Sequence, residues 1–400
     1  MTLRTRTLLL VVAAASAPAM AQPGFVQFGI AIVWGVSADG RTAVGDSSSP
    51  RRWSAATGVQ NLGTTARGVA YACSIDGSII VGNLNDVPFC WTMATGIQML
   101  PLPPGTVPQT ESDARGVSAD GTVIGGTVWD SASGSYIPVT WRNGTLEVPT
   151  LPPGWRDVIA EAVSGDGSVV IGTRNYYRAG YRWTAAAGFE DVPPMPQQPH
   201  SPLGSVYPRS ISHDGTVIVG AREPTPIGGW VPFRWRYGQA VENLPIIPGF
   251  NHGIARDVSD DGKTVIGYVF NDASSYNAFI WKEGRGSMLL RDYLAEVGVV
   301  VPAGVTLSLG KGLSASGLVI FGQCFGTGCP GGAFRAEVPC PANCDGSTAA
   351  PVLNVADFIC FLNRFAAGDS RANCDASTTP PVLSVADFVC FQTQFAAGCP

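Results

Sequence analysis

Short apolar runs alternate with polar turns along most of the chain, up to about residue 338. The tetrapeptide Ser-x-Asp-Gly recurs six times, each time followed by a β-branched run that ends close to a glycine. Asp-Gly favours a tight turn between two strands, because glycine adopts positive φ without steric cost. The copies begin at Ser37, Ser74, Ser118, Ser164, Ser212 and Ser259, and Ser314-Ala315-Ser316-Gly317 is a degenerate seventh copy. Each copy therefore predicts a β-hairpin.

Each of these hairpins opens a unit of four predicted strands. After a variable loop, a third strand carries an aromatic residue, and a turn such as Asn143-Gly144 introduces a fourth strand. The aromatic positions, which we interpret as core, are Trp53, Trp91, Trp141, Trp183, Trp235, Trp281 and Phe334. A period of roughly 40–50 residues built from short strands is typical of a β-propeller. The predicted fold class is therefore mainly β, with a seven-bladed β-propeller over residues 22–338.

The two ends of this region predict how the ring closes. The seventh unit runs only as far as Val338 and has no obvious fourth strand. The segment Phe25-Val26-Gln27-Phe28, before the first unit, is a spare strand. Pairing it into the seventh blade would remove two exposed strand edges, so we expect the ring to close in this way.

Residues 340–400 contain a duplication of about 30 residues. Asn343-Cys344-Asp345 repeats as Asn373-Cys374-Asp375, and Val355-Ala356-Asp357-Phe358 repeats as Val385-Ala386-Asp387-Phe388. Each unit predicts an oxygen-rich loop followed by an amphipathic helix. The apolar stripe of the first helix would comprise Val355, Phe358, Phe361 and Phe365. The segment is therefore predicted to be a small disulfide-rich α module with paired EF-hand-like loops.

The loop chemistry favours Ca²⁺, which takes six to eight oxygen ligands from alternate loop positions and a closing carboxylate. Each loop has asparagine at its first position and only two carboxylates, so we expect weak to moderate affinity at the two sites. The alternative is that disulfides have replaced the metal. The candidate ligands are Asn343, Asp345, Ser347, Asn354 and Asp357 in the first loop, and Asn373, Asp375, Ser377, Ser384 and Asp387 in the second.

This duplicated module resembles the dockerin domain, in a cysteine-rich form that ends in Ala-Ala-Gly-Cys. The resemblance covers the whole module and rests on the duplication of both loop and helix. It implies calcium-supported attachment to a cohesin-like or cell-surface partner.

The propeller units resemble the HAF-repeat family of bacterial extracellular proteins, whose unit reads A-x-x-[VI]-S-x-D-G and later A-F-x-W. Ala278-Phe279-Ile280-Trp281 and Pro232-Phe233-Arg234-Trp235 match the second part of this pattern. The resemblance covers about residues 24–338. It implies export and a repeat architecture, and it brings no defined biochemical activity.

The N-terminus independently predicts export. Arg4 and Arg6 precede an apolar run, and Ala19-Met20-Ala21 is a cleavage site, so residues 1–21 have the pattern of a signal peptide. No later stretch reaches the ~20 apolar residues of a transmembrane helix. Ten cysteines agree with an oxidising compartment. The predicted location is extracellular, on the cell surface or in the periplasm.

The cysteines also suggest a pairing, although six cysteines in the module allow fifteen connectivities. The symmetry of the duplication favours Cys344–Cys360 and Cys374–Cys390, with Cys340–Cys399 joining the ends of the module. Cys324 and Cys329 predict a local bridge. Cys73 and Cys90 either pair or remain thiols.

A set of basic residues stands before the Ser motif of several units. These residues are Arg67, Arg115, Arg209, Arg256 and Lys311, with Glu161 at the equivalent place in the fourth unit. In a propeller such positions would converge near one mouth of the central channel. They could hold a carboxylate or sulfate of an acidic glycan, because arginine pairs such groups bidentately. The alternative is solvated charge or salt bridges between blades.

These features favour an exported, non-enzymatic binding protein, whose propeller recognises a glycan or protein and whose tail attaches it to a partner. The sequence contains no catalytic triad and no zinc-protease motif. The alternatives are a dockerin-borne propeller enzyme acting on polysaccharide, as a glycoside hydrolase or lyase, and a structural envelope protein. A net charge of −5 argues against nucleic acid as a partner.

Overall fold

The computed structural model describes residues 24–106, 112–175, 179–193, 205–223, 229–271, 276–340, 342–344, 353–369, 372–374 and 380–397. The predicted signal peptide, residues 1–21, lies outside these ranges. Within them the chain forms seven four-stranded antiparallel sheets, which are the blades of a propeller. The predicted fold class, mainly β with seven blades, is thereby confirmed.

The first strand of the chain closes the ring as predicted. Strand β1 (Phe25–Phe28) pairs antiparallel with the last strand of blade seven, so that Phe25 lies opposite Ala336 and Phe28 opposite Ala333. The Phe25 ring stacks on Phe334 with 5.5 Å between centroids. Blade seven is therefore built from both ends of the propeller sequence.

The other strands follow the chain from the channel outwards in each blade. Blades one to three comprise β2 (Ile32–Val36), β3 (Thr42–Asp46), β4 (Pro50–Ser54), β5 (Gly58–Asn61), β6 (Gly68–Cys73), β7 (Ile79–Leu84), β8 (Val87–Thr92), β9 (Gly96–Met99), β10 (Asp113–Val117), β11 (Val123–Asp130), β12 (Ser135–Arg142) and β13 (Thr145–Glu147). Blades four and five comprise β14 (Ile159–Val163), β15 (Val170–Arg174), β16 (Ala179–Thr184), β17 (Gly188–Asp191), β18 (Val206–Ile211), β19 (Val217–Arg222), β20 (Val231–Arg236) and β21 (Glu242–Asn243). Blades six and seven comprise β22 (His252–Val258), β23 (Thr264–Phe270), β24 (Asn277–Lys282), β25 (Gly286–Leu289), β26 (Thr306–Leu313), β27 (Val319–Phe325) and β28 (Ala333–Glu337).

The Ser-x-Asp-Gly turns are held by the same bonds in successive blades. In blade three, Ser118 Oγ donates to Asp120 Oδ1 over 2.6 Å and accepts a bond from the Val123 amide. The Thr122 amide donates to Asp120 Oδ1 over 3.0 Å. Gly121 has a φ of 75°, in the region that favours glycine. The interpretation of these aspartates as turn residues agrees with this geometry.

The turns also join neighbouring blades. The Ile75 amide of blade two donates to the Ala119 carbonyl of blade three, and the Ala119 amide donates to the Gly165 carbonyl of blade four. The Ala315 amide of blade seven donates to Ala38 of blade one and continues this circle. One end of the channel is thus framed by backbone hydrogen bonds between blades.

The repeated aromatic residues form the packing between blades. Trp53, Trp91, Trp141, Trp235, Trp281 and Phe334 are buried, and Trp183 is half-buried. Between blades six and seven, helix α1 (Leu290–Glu296) adds Leu290, Tyr293 and Leu294 to the core. The core interpretation of the tryptophan series is therefore confirmed.

The described part of the C-terminal segment contains two helices, α2 (Val355–Ala366) and α3 (Val385–Ala397). Their cores meet at Phe361 and Phe391, whose rings stack with centroids 4.2 Å apart. Val355 is 73% exposed, so its predicted place in the buried stripe is wrong. The first turn of α2 instead buries Asp357, which closes a capping box with Asn354.

Three predicted disulfides are present, namely Cys324–Cys329, Cys344–Cys360 and Cys374–Cys390. Cys340 is also disulfide-bonded, and its predicted partner Cys399 lies outside the described residues. Cys73 and Cys90 are free thiols. None of the described helices is long and apolar enough to cross a membrane.

Candidate functional site

The innermost strand of every blade carries a β-bulge three residues before its Ser motif. A bulge leaves one residue out of the strand ladder and re-aims its side chain. The bulged residues are Trp34, Tyr71, Arg115, Glu161, Arg209, Arg256 and Lys311, in blade order. All of them line one cavity of about 240 Å³ in the central channel. The bulges therefore build a single site from one residue of each blade.

Four of the five predicted basic residues meet in this cavity. Arg115, Arg209, Arg256 and Lys311 all line it. Placing Arg67 with them is wrong, because Arg67 is exposed and lies before the start of β6. It stands seven residues before Ser74, whereas the bulge stands three before, and blade two contributes Tyr71 instead.

On one side of the cavity, the arginine side chains are paired with carboxylates. Glu161, whose side chain is 8% exposed, bridges Arg115 over 3.4 Å and Arg209 over 3.3 Å. Asp113 binds Arg115 Nε over 2.8 Å. Burial alone would lower the pKa of Arg115, but Asp113 and Glu161 raise it. The alternative of salt bridges between blades is thus correct for Arg115 and Arg209.

The other side of the cavity holds two cations without a carboxylate partner among the described residues. Arg256 and Lys311 form no ion pair there, and Arg256 Nε is buried without a hydrogen bond. Burial, followed by Arg209, lowers the pKa of Arg256. Burial together with Arg256 and Arg209 lowers the pKa of Lys311 to about 7. This side has the electrostatics of a site for an added anion.

A further carboxylate of the cavity lining, Asp257, already accepts hydrogen bonds from other donors. Its Oδ1 accepts from Ser210 Oγ over 2.6 Å, and its Oδ2 accepts from the Leu313 amide over 2.7 Å. Burial raises the pKa of Asp257. Asp257 therefore connects blades five, six and seven and does not neutralise its cationic neighbours through an ion pair.

An aromatic wall lies beside the lysine. Lys311 Nζ lies 4.8 Å from the centre of the Trp34 ring, and Trp34 Nε1 donates to Asp46 over 2.8 Å. Tyr71 packs edge-on against Trp34 at 5.6 Å. Burial, with Asp113, raises the pKa of Tyr71 to about 12, which keeps its hydroxyl protonated. Sequence reasoning missed both aromatic residues, although the constant spacing from the Ser motif would have located them.

The predicted metal ligands are only partly within the described structure. Asp345, Ser347, Asp375 and Ser377 lie outside the described residues. Asp357 and Asp387 are fully buried, and each accepts a bond from the backbone amide at its helix start, from Asn354 over 2.9 Å and from Ser384 over 2.7 Å. Asn343 and Asn373 precede the half-cystines of the two loops. Among the described residues, no group of three or more His, Cys, Asp or Glu side chains could hold a metal ion.

The fold is shared with solved propellers of low sequence identity. An oligogalacturonate lyase from Vibrio parahaemolyticus is 11% identical with a TM-score of 0.52, and the match covers 78% of this chain and 90% of that one. A virginiamycin B lyase from Staphylococcus aureus is 12% identical with a TM-score of 0.50, covering 78% and 98%. No protein-family model matches the chain, and no curated protein matches it in sequence. The chain therefore has the fold of these propellers, and the likeness extends no further.

Proposed function

We propose that this protein is an exported binding protein whose propeller holds an anionic group of a glycan or protein ligand in its central channel. The observation that supports this is the pair of half-buried cations in the cavity, Arg256 and Lys311, without an ion pair among the described residues. Burying an unpaired charge costs several kcal/mol, so the arrangement favours an anion supplied from outside. Arginine would take a carboxylate or sulfate bidentately, and the lysine would add a point charge.

The first test is calorimetric titration of the whole protein with galacturonate, with sulfate and with neutral galactose. We expect both anions to bind and galactose not to bind. Arg256→Met and Lys311→Met should each weaken anion binding by about tenfold or more, because a charge-assisted bond is lost in a buried site. Arg67→Met is the matched control, since Arg67 is exposed and outside the cavity. Anion binding that survives both cavity substitutions would overturn the proposal.

The C-terminal module is proposed to attach the propeller to a cohesin-like or cell-surface protein with the support of calcium. The duplicated helices expose matching apolar residues, Val355 with Val385 and Ile359 with Val389, all more than half exposed. Exposed apolar side chains in corresponding places suit a protein contact. The disulfides agree with export into an oxidising compartment.

Calcium binding is tested by thermal unfolding of the whole protein with calcium and with a chelator. The oxygen donors Asp357 and Asp387 fit a hard cation, although both also cap helices. A calcium-dependent rise in melting temperature that magnesium does not reproduce would support the two sites. The double variant Asp357→Asn, Asp387→Asn should lose that rise. Identical curves for the native protein in calcium and chelator would leave a disulfide-held module without metal.

One observation favours a polysaccharide lyase as the second candidate. Lys311, with its pKa lowered to about 7, is a competent base beside Arg256, which could neutralise a uronate carboxylate. In such an elimination the base takes the proton next to the carboxylate, a C=C bond forms, and the glycosidic C–O bond breaks with protonation of the leaving oxygen. A glycoside hydrolase is less favoured, because protein donors already occupy Glu161 and Asp257. Unsaturated products from polyuronates, absent with Lys311→Met, would establish the lyase, and binding without product would exclude it.

A further inference from the structure

The seven bulged side chains form a layer across the central channel, which we call the channel floor. Lys311 Nζ lies 4.8 Å from the centre of the Trp34 ring, and Trp34 packs against Tyr71 at 5.6 Å. The Arg115 guanidinium lies 5.4 Å from the centre of the Tyr71 ring. The ion pairs of Glu161 with two arginines continue the layer across blades three, four and five. Bulged side chains of six consecutive blades are thus in contact, and blade six occupies the remaining interval.

The channel floor is held from the side that faces away from the Ser motifs. Trp34 Nε1 donates to Asp46 over 2.8 Å, and Arg115 Nε donates to Asp113 over 2.8 Å. Asp113 stands two residues before Arg115, and Asp46 lies opposite Ile32, two residues before Trp34. Both carboxylates therefore lie beyond the floor on the side away from the turns.

The cavity extends from the channel floor toward the Ser-x-Asp-Gly turns. Each residue that lines it is a bulged residue or one of the two residues that follow a bulge. The Ser motif begins three residues after the bulge, which corresponds to about 10 Å of strand. At that level the backbone hydrogen bonds between blades frame the opening. The cavity is therefore a cup, with its floor at the bulges and its mouth at the turns.

Neighbouring blades approach each other closely along the wall of the cup. A Cβ on Gly35 of blade one would lie 2.4 Å from the carbonyl oxygen of Tyr71 in blade two. A Cβ on Gly116 of blade three would lie 2.5 Å from the amide nitrogen of Val163 in blade four. Glycine at these places lets one innermost strand touch the next. A ligand therefore enters the cup along the channel axis and not between these blades.

We propose that the cup receives one acidic sugar, either free or as the last residue of a chain, with its acid group on the channel floor and any further residues leaving through the mouth. The inference rests on the proposed anion binding in the channel. The cavity of about 240 Å³ is smaller than the ~300–1,000 Å³ pockets of drug-sized ligands, so it suits a single ring. The polar side chains of the wall, Ser210 and Asp257, bond to each other over 2.6 Å, which leaves the floor cations to hold the acid.

An internal residue of a polysaccharide is the competing ligand. Such a residue has chain on both sides, so it would enter the cup only if both chain segments passed through the same mouth. A chain that lay across the mouth would also fail to reach the cations, because a carboxylate is one bond from its sugar ring whereas the floor lies about 10 Å below the mouth. The shape of the cup therefore favours chain ends.

The first test measures binding stoichiometry by calorimetry on the whole protein, with galacturonic acid, its tetramer and two size fractions of polygalacturonate as probes. Monomer and tetramer should each bind one to one. Each polymer fraction should bind no more than two protein molecules per chain, one for each end, whatever its length. Arg256→Met should weaken the binding of every probe by about tenfold or more, because the charge-assisted bond on the floor is lost.

The direction of entry is tested at the two ends of one strand. Ala38 is half-buried at the mouth, in the Ser motif of blade one, and Ala31 is exposed before the same innermost strand at the opposite end. Ala38→Trp should weaken galacturonate binding by about tenfold or more, because the larger side chain obstructs the mouth. Ala31→Trp is the matched control and should leave the affinity unchanged, and melting temperatures check that both variants fold.

The outcomes separate this inference from the one on which it rests. A number of bound proteins that grows with polymer length overturns the recognition of chain ends, while anion binding in the cavity stands. An unchanged affinity in Ala38→Trp, or a loss confined to Ala31→Trp, overturns entry through the mouth. The stoichiometry is measured on the native protein and so does not depend on the folding of any variant. If none of the four probes binds the native protein, both proposals fail.

Discussion

In each innermost strand, the bulge lies three residues before the Ser motif of the turn. The turn residues are nearly the same in every blade, whereas the bulged residues differ from blade to blade. Six of the turns carry the same Ser, Asp and Gly, and the bonds of one turn recur in the others. The bulges carry two aromatic residues, one acid and four cations. The turn side chains make the same hydrogen bonds in successive blades, whereas the bulged side chains line one cavity that all seven blades share. Repetition therefore indicates structure, and divergence at a fixed position indicates the site.

The largest expected loss of stability comes from adding a side chain to a turn glycine that packs against the preceding blade. At Gly262, with a φ of 68°, a Cβ would lie 2.6 Å from Val217 Cγ2 of blade five, whereas at Gly58, with a φ of 66°, it would meet nothing within 4 Å. Gly262→Ala should cost about 2–4 kcal/mol of unfolding free energy and Gly58→Ala about 1 kcal/mol. Urea unfolding measures both. Equal costs would show that the contact between blades is unimportant.

A smaller loss is expected when the turn carboxylate is removed. Asp120→Ala should cost about 1–2 kcal/mol near neutral pH, since it deletes bonds from Ser118 Oγ and the Thr122 amide. The bond from Ser118, followed by that from Thr122, lowers the pKa of Asp120 in the folded protein. This contribution is present above the unfolded pKa and is lost as the pH falls through the folded value. The difference in unfolding free energy between the native protein and Asp120→Ala should shrink as the pH is lowered from 7 to 2. A constant difference would contradict the role of the Asp120 carboxylate in the turn.

An effect of opposite sign is expected at a bulge. Lys311 has its pKa lowered to about 7 by burial, Arg256 and Arg209, with Asp46 acting in the other direction. The unfolded lysine therefore binds more protons than the folded one between about pH 7 and its ordinary value, and stability rises with pH across that window. Lys311→Met should raise the melting temperature at pH 6, with a gain that shrinks by pH 10. A variant less stable than the native protein at pH 6 would show that Lys311 is structural.

The same residue makes anion binding depend on pH. A bound anion needs the protonated lysine, so affinity should fall as the pH rises through about 7 in the native protein. In Lys311→Met the dependence should be lost over this range. Titration with galacturonate at pH 6 and 8 measures the difference, and an unchanged affinity would place the anion elsewhere.

The sequence by itself determined the seven blades, the closing strand and three disulfides. These follow from local signals, because Asp-Gly makes its turn wherever it stands and a strand such as Phe25–Phe28 must find an edge. The tryptophan core followed from the same periodicity. The prediction for Val355 was wrong because helical spacing identifies the apolar face of a helix, but it does not show which residues of that face pack against another part of the protein.

Only the tertiary structure decided the site. Glu161 forms ion pairs with Arg115 and Arg209, which lie 46 and 48 residues away in the chain. Arg256 and Lys311 form no ion pair among the described residues. This difference depends on the distances between blades in the folded protein. Electrostatic and stacking energies depend on these separations through space. A sequence places residues along the chain, and the closed ring alone sets their distances.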